Sequence, residues 1–238
     1  VATGRCTSAL PDTVDLRLGV SPERLELTSG GVRLSTSGGK FTAHAAILTV
    51  SSHVLASGTI DLPVVLDDWR HAASLLPLGN NEKLFLEIVG PSPFLAETHV
   101  IGDPSDPETG SYYIMPLGMA VIECFLGGAG ARSAASMGPE AAFARAVEQL
   151  AALFGTSVRS CLKPLVASNW AGTASIGGGY SHALPGHAAA RQGLARSYDD
   201  RVFFAGEATH KTDFSTAHGA YVTGLRAAEE VLAALRSA

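Results

Sequence analysis

Cysteine is scarce and odd in number. The 238 residues include three, Cys6, Cys124 and Cys161, too widely spaced for a zinc motif or a disulfide framework, so a reducing cytoplasm is the expected location. No apolar run approaches the roughly 18 to 20 residues of a membrane helix. The opening "VATGRCTSALPD" has no charged segment followed by an apolar core, so it does not read as a signal peptide. Basic runs are also missing, and the formal net charge is −5. A phosphate-binding surface needs visible positive charge, so nucleic acid is not an expected partner. Also absent is G-x-G-x-x-G, the phosphate turn of dinucleotide-binding folds: "GGAGARS" and "IGGGYSH" both fail its spacing.

What is present is enough apolar sequence for one large core or two modest ones. The first sixty residues read as strands, "DLRLGV", "RLELTSGGVRLST" and "KFTAHAAILTV", reversed at Ser29-Gly30-Gly31 and Ser37-Gly38-Gly39. "AAILTV" has the continuous apolar character of a strand buried on both faces. From about residue 63 the texture changes. "LDDWRHAASLLPLG" reads as a helix, and "EKLFLEIVG", "SYYIMPLG" and "AVIECFLGG" as strands, with Cys124 a small buried side chain. "GPEAAFARAVEQLAALFG" is an amphipathic helix with Pro139 in its first turn and Gly155 as its stop. After the irregular "WAGTASIGGGYSHALPG", the segment "RVFFAGEATHKTDFSTAHGAYVTGLRAAEEVL" gives a strand, a polar loop and a helix. The order is β-rich, then α+β, then β-loop-α, which predicts two intertwined domains of mixed α/β and α+β class.

That closing segment has the form of a ligand-binding edge. "RVFFAG" reads as a central strand. Gly206 at its end permits close approach of a ligand, and Glu207 stands at the carboxyl edge where open α/β sheets bind theirs. Either Ser215 or Thr216 can cap the following helix, whose first amides carry partial positive charge. Ala217, Ala220, Gly224 and Ala228 give it a face of small residues. An ordinary C-terminal helix packed on a sheet has the same spacing, so the pattern does not name a ligand.

The wording itself goes further. "FFAGEATHKTDFSTAHGAYVTGLRAAEEV" closely resembles the C-terminal signature of flavin-containing amine oxidases, the family of polyamine oxidases, monoamine oxidases and amine-oxidase-like histone demethylases. "SNW…GGGYSHALPG", "VIECFLGGAGA", "LPLGNNEKLFLEI" and "ILTVSSHVLASGTI" match in the family's order, covering the chain from about residue 15. The resemblance implies FAD as cofactor, with Gly206 and Glu207 against its pyrophosphate. Thr216 and Ala217 would open the helix facing its pyrimidine end, and Trp170 would pack near the flavin edge. Lys83 matches the lysine that holds a water beside flavin N5, and Tyr180 matches one wall of an aromatic cage. The reaction implied is oxidation of a small, polyamine-like or other amine by O2, with imine and hydrogen peroxide as products.

Departures from the family pattern sharpen the expectation. Gly179 stands where monoamine oxidases tether FAD through cysteine, so the flavin should be noncovalent. Thr216 replaces the second cage tyrosine, and Ser51 replaces a usual proline. The phosphate turn and the acidic residue that grips the adenosine ribose lie near the family's N-terminus, and nothing matching them is present. The resemblance therefore implies a C-terminal half: residues 1–62 and 166–238 from the FAD-binding domain, residues 63–165 from the substrate domain. The remaining half would come from a separate chain or fragment, or a homo-oligomer would complete the site. A binding module that kept the fold without the cofactor, or an L-amino acid oxidase, are the alternative expectations.

Overall fold

The computed structural model describes residues 14–237; Cys6 and the opening segment lie outside the described residues. Three strands, β1 (Pro22–Thr28), β2 (Gly31–Thr36) and β3 (Gly39–Ala43), form an antiparallel meander turned at the two predicted glycine reversals. Gly31 must be glycine: its φ is +156° and an added Cβ would overlap the Ala43 carbonyl. "DLRLGV" is not a strand. Among the described residues it finds no partner strand, and Asp15 pairs locally with Arg17 ahead of a turn at Gly19.

β4 (Ala46–Leu48) pairs in parallel with β10 (Val202–Phe204), in the register Val202–Ala46 to Phe204–Leu48. Two segments more than 150 residues apart in sequence thus form one element. This sheet has two strands among the described residues. β10 is buried throughout, but Ile47 is exposed, so burial of "AAILTV" on both faces does not hold. Leu25, Val32, Leu48, Leu194, Val202 and Phe204 share one core with Leu66, Trp69 and Leu76. Helices α1 (Ser52–Ser57) and α2 (Asp67–Ser74) pack into that core, so residues up to about 77 belong with it by packing.

A second core lies against an antiparallel sheet of order β6-β7-β8-β5-β9: β5 (Asn81–Ile88), β6 (Thr98–Ile101), β7 (Gly110–Ile114), β8 (Val121–Gly127) and β9 (Leu162–Ala167). Period-two alternation decides its faces. Leu84, Leu86, Tyr112, Ile114, Ile122, Cys124 and Leu126 point into the core under α3 (Gly128–Met137) and α4 (Pro139–Phe154). Their neighbours Lys83, Phe85, Tyr113, Glu123 and Phe125 fall on the opposite face. α4 starts at Pro139 and stops at Gly155, which sits at φ +91° and donates its amide to the Ala151 carbonyl.

Cys124 lies at the centre of this core, fully buried, and burial pushes its thiol up to about 12. An unfolded thiol ionises near 9.0, so the folded state binds the proton more tightly. That stability is complete below the unfolded value and is lost progressively as pH rises from there through the folded value of about 12. Between pH 9 and 10, below the range where the buried Tyr112 phenol adds a loss of its own, this thiol should remove up to about 1.4 kcal/mol of stability per unit in denaturant unfolding, and that part should disappear in Cys124→Ala.

Candidate active site

Lys83 reaches its position because β5 alternates. With Glu82 and Leu84 turned to the core, Lys83 faces the other way. The segment leading into β5 is stitched to the glycine-rich stretch: Gly79 donates to the Tyr180 carbonyl (2.8 Å) and Gly179 to the Gly79 carbonyl (2.8 Å). Leu78 bridges Ser181 in the same ladder. This places Tyr180 beside the entrance of β5. On the other edge of β5, β9 runs antiparallel, and Ser168 donates its amide to the Lys83 carbonyl at 2.8 Å. The turn that follows delivers Trp170. Lys83, Tyr180, Trp170, Phe125 and Asn81 consequently line one cavity of about 470 Å3. Both aromatic rings are accessible, Trp170 at 41% and Tyr180 at 45% exposure. The Lys83 ammonium is ion-paired with Glu123 on β8. Glu123 stands opposite Phe85 and Lys83 opposite Phe125, so the two are diagonal neighbours on one sheet face.

A second cleft of about 250 Å3 adjoins the first. Gly206, Glu207, Thr49, Ser51, Ser52 and Ala220 help line it, and Ile176 and Gly179 belong to both. Gly206 ends β10 at φ +126°, and a Cβ added there would meet nothing nearer than the Thr49 carbonyl oxygen at 4.0 Å. Ser51, in the position of the usual proline, caps α1 by accepting from Val54 N (3.2 Å) and donates to the Ile176 carbonyl (2.7 Å).

The Glu207 carboxylate is turned into the protein. It accepts from Ser181 N (2.9 Å), Ser181 Oγ (2.8 Å) and Ser215 N (2.7 Å). One acid thereby joins the Tyr180 loop to the approach of helix α6 (Ala217–Ser237). Arg191, on α5 (Ala190–Ala195), completes the knot. It is 2% exposed and donates to Ser181 Oγ (2.8 Å), the Ala208 carbonyl (3.2 Å) and the Ser181 carbonyl (3.3 Å), with Phe214 stacked on its guanidinium at 3.9 Å. Burial pulls its pKa down and the Glu207 charge opposes that.

Thr216 is the cap of α6, its Oγ1 accepting from Gly219 N at 3.1 Å. Ser215 instead takes φ +63° and donates to the Ser181 carbonyl at 2.7 Å. The first-turn amides of Ala217 and His218 have no intrahelical acceptor. Gly219 is buried where a Cβ would overlap the Asp213 carbonyl. Gly219→Ala should therefore displace the helix mouth and cost about 1–3 kcal/mol in denaturant unfolding, whereas Gly224→Ala, with open space around it, should not destabilise.

Comparison with known proteins identifies the family. The family model described as flavin containing amine oxidoreductase matches residues 7–232. The chain belongs to that family. Among its amine oxidoreductase relatives, Polyamine oxidase 2 of Arabidopsis thaliana is 30% identical over 231 residues, covering 94% of this chain and 46% of that protein. Lysine-specific histone demethylase 1 homolog 2 of Oryza sativa subsp. japonica is 28% identical over 245 residues, covering 98% of this chain and 32% of that protein. The chain thus spans less than half the length of these relatives. Of the amine oxidoreductase positions expected from sequence, Lys83, Tyr180 and Trp170 meet in one cavity, and Gly206 and Glu207 line the next. Thr216 and Ala217 line neither, although Ala220, one turn further along α6, lines the second. Glu82, Glu123, Ser181 and Arg191 were not anticipated. The signal for Glu123 was a lone acid at an outward position of an apolar strand.

Proposed function

We propose that the chain forms part of an FAD-dependent amine oxidase and carries one side of both its cofactor site and its substrate site. The observation behind this reading is the adjoining pair of clefts, which share Ile176 and Gly179 and hold Lys83, Trp170 and Tyr180 on one side and Gly206 and Glu207 on the other. The residues fit a flavin: at Gly206 a missing Cβ leaves a cradle at a strand end, and α6 presents unpaired amides nearby. Gly179 has no side chain to form a cysteinyl tether, which supports a noncovalent cofactor.

FAD, when bound, supplies a hydride acceptor for the C–H bond next to a neutral amine, with the imine hydrolysed and the electrons passed to O2 as hydrogen peroxide. This chain's residues position the reactants and exclude water. Gly206 and the amides beside Glu207 would hold the pyrophosphate. Thr216, as the cap, and Ala217 would set the α6 terminus toward the pyrimidine portion of the cofactor from one turn before the cleft-lining Ala220. Tyr180 and Trp170 present aromatic surface to the amine, and Lys83, steadied by Glu123, holds a water in the cavity. A polyamine-like or other small amine is the substrate this reading favours, supported by the similarity to a polyamine oxidase. The packing of β4 with β10, and of α2 on the same core, supports a FAD-side domain built from both ends of the chain and reaching to about residue 77 rather than the 62 expected from sequence, with the five-stranded sheet supplying the substrate side. In this reading the contacts to the adenosine would come from a separate chain or fragment, or from a second copy of this chain.

The test is the visible spectrum of the purified complete protein, followed by a peroxide-release screen over polyamines, monoamines, methylated-lysine peptides and amino acids. Flavin bands lost on acid precipitation, with peroxide formed from a polyamine, are the expected result. A protein that takes up no flavin under any reconstitution would refute the reading.

A further inference from the structure

Glu82 precedes the cavity lysine in sequence and points the opposite way. It is 3% exposed on the core face of the sheet, and no cation pairs with it among the described residues. A buried carboxylate without a cation is costly unless several donors converge on it. Here they do, and all come from one turn. Ser168 Oγ donates to Oε2, Trp170 N donates to Oε2 at 3.2 Å, and Ala171 N donates to Oε1 at 3.2 Å. Ser168 Oγ also accepts from Lys83 N at 2.8 Å. The turn is closed further by Gly172 N donating to Asn169 Oδ1 (3.2 Å) and Thr173 Oγ1 donating to the Asn169 carbonyl (2.6 Å). Trp170 therefore has its amide anchored behind the sheet and its ring in the cavity in front.

We propose that Glu82 is a positioning residue, whose buried carboxylate fixes the 168–173 turn and so sets Trp170 in the cavity wall it shares with Lys83 and Tyr180. The backbone anchor itself stands on the geometry alone; its consequence for turnover rests on the amine oxidase reading above. Glu82→Gln preserves shape but replaces one acceptor oxygen with an NH2 group. That group faces an amide N–H already pointing at it, so one of the Trp170 and Ala171 bonds must be lost.

The experiment uses the complete protein labelled with 5-fluorotryptophan, the Trp170 fluorine resonance being assigned by its loss in Trp170→Phe. In Glu82→Gln the Trp170 resonance should shift and broaden while that of the buried Trp69 stays in place. With the amine substrate, kcat should fall about tenfold with a smaller change in KM. Ser168→Ala, which removes one donor, should give the same shift to a lesser degree and serves if Glu82→Gln does not fold. A lowered unfolding midpoint with an unmoved Trp170 resonance in the folded protein would overturn the proposal, reducing Glu82 to a contributor to stability. A wild-type protein that oxidises no amine would defeat the functional reading and leave the fluorine result to decide the anchor.

Discussion

Arg191→Leu should lower stability by about 3 kcal/mol, measured by denaturant unfolding of the complete protein. Leucine fills much of the volume, so the loss is electrostatic and hydrogen-bonding in origin. Removing the guanidinium leaves the Ala208 carbonyl without its donor at 3.2 Å and Ser181 Oγ without its donor at 2.8 Å, while the Ser181 carbonyl keeps only the Ser215 hydroxyl. It also removes the positive charge that Glu207 senses through Ser181. Arg191→Lys should recover only part of the loss, since one ammonium cannot reach three acceptors arranged for a planar fork. The damage should not stay local. Ser181 follows Tyr180 and donates to Glu207, and Glu207 holds Ser215 at the approach to α6. A surface-like change within about 0.5 kcal/mol would mean that the knot contributes nothing to holding the site together.

Sequence periodicity located elements where one face decides burial. β5 and β8 alternate cleanly between core and cavity faces, and α4 is bracketed by Pro139 and Gly155, so both strands and the helix could be read directly. β9 was hidden because Pro164 interrupts "LKPLVA". Proline is tolerated there because, among the described residues, β9 pairs only with β5, at the sheet edge and beside a register shift. α5 was hidden in "AAARQGLARS", where small residues give no amphipathic stripe and the one buried side chain of consequence is an arginine. "DLRLGV" misled in the other direction, since alternation without a partner strand forms no ladder. The candidate site was legible for a different reason. Lys83, Tyr180, Trp170, Gly206 and Glu207 were picked out by resemblance to a family, and spacing alone would have left each an ordinary rim or core residue. Their supports were not legible at all. Glu82, Glu123, Ser181 and Arg191 act through contacts spanning up to about ninety residues of sequence, and no local pattern encodes such pairings.

Lys83→Met should reduce kcat/KM for amine oxidation about 100-fold, or about 2.7 kcal/mol of transition-state stabilisation, with little change in stability. Methionine keeps the length and apolar stem of lysine and removes its three donors. One of those donors is committed to Glu123, and two remain free for water or substrate in the cavity that Tyr180 and Trp170 share. Lys83 is partly exposed, so breaking its ion pair leaves Glu123 able to solvate, and the fold should not suffer. Glu123→Gln separates the two parts of this claim. The ammonium is retained but loses its tether, so kcat should fall less than in Lys83→Met, and the double variant should be no worse than Lys83→Met alone. That non-additivity is what one residue acting through another produces. Additive losses would instead assign Glu123 its own contact with the amine, and an unchanged rate in Lys83→Met would return the pair to the status of a surface ion pair.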